Sequence, residues 1–240
     1  MNIKTDFIGN IVADDFRTAA VFKQHKLDFC CKGARTIEDA CKIKKIDPET
    51  VYREIESLPA KTENTIDFNG FPPDLLADYI EKTHHRYVEE KMPVIQSFLD
   101  KLCKVHGGEH PELFEIRDAF NESAKDLSAH LKKEELILFP FIRNMMKAKI
   151  SGETVSQPAF GTVENPINMM MHEHSVEGDR FLKISELTSD YTPPTDVSCT
   201  TYRVTFAMLQ EFENDLHKHI HLENNILFPK AVSLEKTFLN

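Results

Sequence analysis

The sequence predicts an all-α protein: a small N-terminal helical domain followed by an antiparallel four-helix bundle. Three observations carry that expectation. Apolar residues recur at three- and four-residue spacing through four long stretches beyond residue 73. Period-two alternation of β-branched residues, the mark of strands, is absent. Finally, a pattern reading HxxxExxILFP occurs twice, as HLKKEELILFP at 130–140 and as HIHLENNILFP at 219–229.

Residues 1–60 read as short helices. Asp14 and Asp15 stand before FRTAAVFKQH, Thr36 stands before IEDACKIKK, and Asp47 is placed to cap a helix that has Pro48 in its first turn. Between these helices lies LDFCCKGAR, with Cys30 and Cys31 adjacent, Gly33 to turn the chain, and Lys32 and Arg35 near enough to favour thiolate. Two buried cysteines in a turn are the plainer account of the same letters. Over 61–73 the apolar period is lost and Pro, Asn, Thr and Gly accumulate, which predicts a linker and sets the bundle at 74–240.

The first bundle helix is expected over about 74–106, ended by Gly107 and Gly108. Its face through His85 continues with Val88, Met92, Ile95, Leu99, Leu102 and His106. His84 lies on a neighbouring face with Leu76, Ile80 and Tyr87, and Pro93 is a candidate kink that would alter the later phase. The second helix, about 111–148, aligns Leu113, Ile116, Phe120, Leu127, His130, Glu134, Leu138 and Phe141. A polar loop over 149–165 joins the halves. The third helix, about 166–187, aligns Ile167, Met171, His174, Gly178 and Phe181, with Gly178 leaving room on the inner face. The fourth, about 197–232, aligns Tyr202, Leu209, Phe212, Leu216, His219 and Glu223.

A histidine and a glutamate four apart on a helix differ by about 40° in direction and about 6 Å in height, so both side chains reach one point. The proline after ILF suits a packed last turn and then a bend or stop. His85 precedes His130 by the same number of residues as His174 precedes His219, so each half of the bundle pairs one histidine with one HxxxE helix. Four imidazoles and two carboxylates in an apolar interior suit two metal ions with bridging carboxylates. Each ion would take two histidines and one oxygen from each glutamate, leaving two octahedral positions for a bridging oxo or water and an exogenous molecule. Iron suits this set, and zinc, manganese or copper would accept much of it. A hydrogen-bonded core pair explains any single HxxxE; two copies on inward stripes, each matched by a histidine, favour metal. A ferritin-like site would want ExxH on two helices instead. His217 and His221 point away from His219 and are expected in solvent. His25, His110 and His172 read as surface residues, and His106 shares the His85 face about 30 Å away along the helix.

A net charge of −10 argues against nucleic acid and anionic membranes as partners. Acids interrupt the N-terminal apolar residues and no run of eighteen apolar residues occurs, so a soluble cytoplasmic protein is expected. Five cysteines without a dense framework predict reduced thiols.

LDFCCKG, THH, KVHG, the EH of MMMHEHSVEGD and the paired HxxxExxILFP motifs together resemble the iron-sulfur cluster repair di-iron proteins, the RIC or ScdA/YtfE family. The resemblance covers nearly the whole chain and implies a hemerythrin-like bundle with a non-haem centre of two oxo-bridged iron ions. It carries the iron ligands onto His85, His130, Glu134, His174, His219 and Glu223, and the family's vicinal cysteines, the candidate catalytic pair, onto Cys30 and Cys31. The role it implies is repair of clusters damaged by nitric oxide or oxidants, by iron delivered from a labile site to damaged iron-sulfur proteins or an assembly scaffold. A hemerythrin-type carrier or sensor of NO or oxygen, and an enzyme reducing NO, are the alternatives. Whether the chain is an enzyme and whether it forms a homodimer are left open by the letters.

Overall fold

The computed structural model describes residues 2–59, 66–195 and 199–238, all helix, turn and loop. Part of the expected linker, 61–65, and the expected start of the fourth bundle helix at Val197 lie outside the described residues. Four short helices come first: α1 (Ile8–Asp14), α2 (Thr18–Gln24), α3 (Ile37–Lys44) and α4 (Pro48–Glu56). The capping chemistry read from the sequence operates at α3 and α4, whereas Asp14 ends α1 and α2 starts at Thr18 without a side-chain cap. Thr36 Oγ1 accepts from the Asp39 backbone N–H at 3.2 Å, and Asp47 accepts from that of Glu49 at 3.2 Å with Pro48 opening α4.

Four long helices follow. Three of them are interrupted by a single π turn without losing direction. Helix α5 comprises Pro73–Ile80, the π turn Glu81–His85 and Arg86–His106. Helix α6 comprises Glu112–Lys133, the π turn Glu134–Leu138 and Phe139–Ser151. Helix α7 is Glu164–Leu187, and α8 comprises Thr200–Leu222, the π turn Glu223–Leu227 and Phe228–Lys236. Helix α5 packs on α6 and α8, and α7 on α6 and α8, which closes a four-helix ring.

The π turns change the expected phase. In α6 and α8 the N–H groups of Phe139 and Phe228 reach back five residues, to the carbonyls of Glu134 and Glu223. One extra residue per turn carries the inward stripe from Glu134 to Phe139, Ile142 and Met145, all buried, whereas Phe141, expected on that stripe, is only half-buried. Neither motif proline stops its helix: of the bend or stop expected after ILF the stop does not occur, and both helices run on through the proline as their expected bounds, about 111–148 and 197–232, require. Pro140 and Pro229 each sit in the first turn after a π turn, where the wider spacing has already broken the ladder that proline would interrupt. Pro93 lies within a segment whose buried positions Val88, Met92, Ile95, Leu99 and Leu102 keep one phase, so the slip in α5 belongs to its π turn.

Two apolar clusters fill the bundle. One, at the Phe120, Phe181 and Phe212 end, runs without a break into Ile8, Phe22, Phe29 and Val51 of the N-terminal helices. The other gathers Leu76, Ile80, Phe139, Ile142, Met170 and Phe228. The polar residues described next lie between them. Among the described residues no helix is long and apolar enough to cross a membrane.

Candidate metal centre

Four helices each send a histidine inward, and α6 and α8 add a glutamate one turn on. His85, His130, His174 and His219 are all buried, and Glu134 and Glu223 are 0% exposed. Their donor atoms form two overlapping sets, His85, Glu134, His219 and Glu223 in one and His130, Glu134, His174 and Glu223 in the other, with every donor of a set within 4.8 Å of the rest. Glu134 Oε2 stands 3.4 Å from Nε2 of both His85 and His130. Glu223 divides its oxygens: Oε1 lies 3.0 Å from His219 Nε2 and Oε2 lies 3.2 Å from His174 Nε2. Both carboxylates thus span the two sets.

The outer ring nitrogens show how the imidazoles are aimed. His130 Nδ1–H donates to Glu173 at 2.8 Å, His85 Nδ1–H to Glu135 at 3.1 Å, and His174 Nδ1–H to Asn224 Oδ1 at 2.8 Å. Each bond fixes a tautomer and leaves the Nε2 lone pair facing the interior, the arrangement that holds metal-binding histidines. The His219 ring lies parallel to that of His84, 5.8 Å away. His84 is itself buried and donates from Nδ1 to Asp215 at 2.8 Å, so its Nδ1 is engaged on the bundle wall.

The residues fit a pair of cations. Both Glu134 oxygens, Glu223 Oε2 and His85 Nε2 are buried without a hydrogen-bond partner. An ionised carboxylate so enclosed is costly unless a cation stands beside it. His130 and His174 bring Nε2 to Nε2 at 3.0 Å, with both Nδ1 protons committed outward, so a proton or a metal ion must lie between the two lone pairs. Protons can fill that role. Burial pulls the His85 pKa down, but the neighbouring carboxylates of Glu134 and Glu223 carry it up to about 10. For His130 burial again acts downward, and the charge of Glu134 carries it up to about 10. Burial raises both glutamates, yet the surrounding imidazoles leave Glu134 below and Glu223 well below the ordinary carboxylate range.

Cys30 and Cys31 lie in the loop between α2 and α3, which folds against α7 and α8 next to His174. Their sulfurs are 3.7 Å apart as free thiols. Cys31 Sγ–H donates to the His174 backbone carbonyl at 3.2 Å, and Gly178 makes room for it: a Cβ there would stand 3.2 Å from that sulfur. The room expected at Gly178 is therefore used by the N-terminal domain. The expectation that Lys32 and Arg35 favour thiolate fails for Cys30. Lys32 turns to Asp179 at 3.4 Å, while Cys31, burial and the Asp28 carboxylate raise the Cys30 pKa well above its usual value.

A second expectation also fails. His221 is only 1% exposed and His217 is half-buried, because the N-terminal domain covers this face of α8. Phe29 packs against both rings at 6.2 and 5.8 Å, and Phe16 against His221 at 5.7 Å. His172 is exposed, while His25, His106 and His110 are half-buried. His25 bonds Glu54 at 2.7 Å and His110 bonds Glu112 at 3.2 Å. Sequence reasoning missed Glu135, Glu173 and Asn224. Each adjoins a candidate ligand in sequence, but its partner sits on another helix, and period alone does not reveal that.

Two family models match the chain: the ScdA N-terminal model, described as a domain of unknown function, over residues 4–59, and the hemerythrin HHE cation binding domain over residues 77–231. Among curated proteins the chain is similar to the iron-sulfur cluster repair protein ScdA of Staphylococcus haemolyticus, 30% identical over 93% of this chain and 96% of that one. It is likewise similar to the iron-sulfur cluster repair protein YtfE of Musicola paradisiaca, 31% identical over 97% of this chain and 98% of the relative. The YtfE of Yersinia pseudotuberculosis is 30% identical over 97% and 99% respectively. By the extent of these matches and the helical architecture, the chain belongs to the ScdA/YtfE family of iron-sulfur cluster repair proteins, with a hemerythrin-type HHE domain as its bundle.

Proposed function

We propose that the protein restores iron-sulfur clusters damaged by nitric oxide or oxidants, supplying iron from a two-iron site ligated by His85, His130, Glu134, His174, His219 and Glu223. The observation that carries this reading is Glu134, a carboxylate with no exposed surface and no hydrogen-bond partner for either oxygen, within 3.4 Å of two imidazoles. The names of the relatives supply the repair half of the proposal; the donor set supplies the iron half. When bound, iron contributes a redox-active Lewis acid able to take NO or oxygen.

The chain's own residues do the rest. Glu135, Glu173 and Asn224 hold three rings with Nε2 inward. Glu134 and Glu223 balance the positive charge, and the apolar clusters on either side keep bulk water out. Release is favoured by the same groups, since His85 and His130 accept protons readily beside those carboxylates and so compete with the cargo. A simple carrier of NO or oxygen is the second reading. It leaves the N-terminal domain without a role, although the thiol loop of that domain reaches the backbone of His174, and that contact favours repair. The recipients would be damaged iron-sulfur proteins or an assembly scaffold in the cytoplasm.

The test uses the whole protein. Iron-loaded protein is mixed anaerobically with a nitric-oxide-damaged iron-sulfur enzyme, and recovery of the cluster is followed by its absorption and activity. Recovery that consumes the protein's iron, and fails with Glu134→Ala, is expected. Recovery at equal rate from free ferrous iron and from the loaded protein would overturn the proposal.

A further inference from the structure

The two halves of the centre differ in what steadies them. His85 is held by Glu135, which Arg86 and Lys132 hold in turn, and the His219 ring lies against His84; all of these belong to the bundle. His174 is tied to the other domain by two routes. Its Nδ1–H donates to Asn224 Oδ1 at 2.8 Å, while Asn224 Nδ2–H donates to the Cys30 carbonyl at 3.2 Å. Its own carbonyl accepts from the Cys31 thiol at 3.2 Å. The network dictates the amide's orientation, since the ring N–H needs an acceptor and the Cys30 carbonyl needs a donor. Only a side chain with both functions at this length closes the link; an aspartate would lack the donor and a leucine would lack both.

We propose that Asn224 is a positioning residue through which the Cys30–Cys31 loop sets the His174 imidazole, so that disengaging this loop frees the metal of the His130/His174 half while the His85/His219 half keeps its own. The inference rests on the two-metal reading above. It gives the N-terminal domain a defined role, in which the vicinal-thiol loop restrains one ligand and whatever draws the loop away loosens that ligand. Gly178 makes the link tight, because nothing larger fits beneath the Cys31 sulfur without moving it.

The test follows transfer of ferrous iron from anaerobically loaded protein to a coloured chelator, after elemental analysis of each variant. Wild type is expected to hold two irons and release them in two phases. Asn224→Ala should speed one phase about 10- to 100-fold, the range for loss of a group that orients a metal ligand, and leave the other within about threefold. Glu135→Gln should speed the other phase, which assigns each phase to its half. Gly178→Ala touches no ligand and guards against misfolding of the Asn224 variant. It should speed the same phase as Asn224→Ala, and do nothing in a Cys31→Ala background, where no sulfur remains to be displaced. Fewer than two irons in wild type would sink the two-metal reading itself. Two irons, with Asn224→Ala and Gly178→Ala changing both phases equally or neither, would overturn only the link.

Discussion

Removing the metal should make this protein's stability fall with rising pH between 7 and 9, where the loaded protein is expected to be indifferent to pH. Without metal, His85 and His130 are held up to about 10 by Glu134 and Glu223, whereas in the unfolded chain they titrate near 6.5. Groups with raised folded values stabilise fully below about pH 6.5 and lose that contribution as pH climbs toward 10. Over this window the folded protein binds up to two more protons than the unfolded chain. At about 1.4 kcal/mol per proton per pH unit, the ceiling is a loss of about 3 kcal/mol per pH unit. For a chain of this length that corresponds to a fall of about 5–10 °C in Tm per pH unit. On the acid side His219, His217 and His221 oppose it: burial depresses all three, His221 to about 3, so stability also falls as pH drops below 6.5. The metal-free protein should therefore be most stable near pH 6.5.

In the metal-loaded protein the four imidazoles are ligands and carry no titratable proton in the folded state, so stability should be flat from pH 7 to 9 and the gain from metal should widen with pH. The assay is thermal unfolding of chelator-stripped and iron- or zinc-loaded protein at half-unit pH intervals, with circular dichroism as the signal. Cys199, lowered to about 7 by a hydrogen bond with His106, titrates in the opposite sense, so the series is best run with Cys199→Ser. Parallel curves for the two forms between pH 7 and 9 would refute the buried charge pairs and the metal centre built on them.

Three further outcomes are expected. Glu223→Ala should abolish stable binding of both metals, because its two oxygens face different halves, and should cost the metal-free fold about 3–5 kcal/mol by leaving buried imidazolium unpaired, read by urea denaturation. Unchanged metal content would break the bridging assignment. His221→Ala should cost about 2–4 kcal/mol by opening a cavity beneath Phe16 and Phe29, yet leave metal stoichiometry intact; loss of metal with no loss of stability would be the contrary result. His84→Ala should keep two metals and His85→Ala should not, as measured by elemental analysis; the reverse would exchange their roles.

The helical class and the order of the four bundle helices were legible because long amphipathic periods leave little choice of fold. The six inward residues stood out because a charged residue on an apolar stripe demands a partner, and two copies of HxxxE supplied one another. What was not legible depends on contacts between elements. His221 looks solvated on a helical wheel, and only the docking of Phe16 and Phe29 buries it. Lys32 stands near the cysteines in sequence, yet Asp179 on α7 draws it away and Asp28 is left beside the Cys30 sulfur. Proximity along the chain said nothing about which charge a thiol would meet.

The doubled histidine at 84 and 85 shows how a phase conflict can itself be a signal. Leu76 and Ile80 project forward by regular α spacing onto His84, while Val88, Met92 and Ile95 project backward onto His85, so no single α period satisfies both ends of α5. A π turn resolves the conflict, since one extra residue lets Ile80 and His85 share a face. The same slip separates Glu134 from Phe139 and Glu223 from Phe228, each five residues apart and each buried. All three widened turns sit at the height of the candidate ligands, and α7, which has Gly178 rather than a glutamate four residues after His174, runs through its ligand without one. A widened turn loosens the local hydrogen-bond ladder, a cost the fold accepts three times in one layer. Its return is geometric: it lets an imidazole or a carboxylate point inward while the helix on either side still buries its apolar face. Where the apolar period of a helix breaks beside a polar inward residue, the break marks the layer in which the backbone was adjusted to present a ligand.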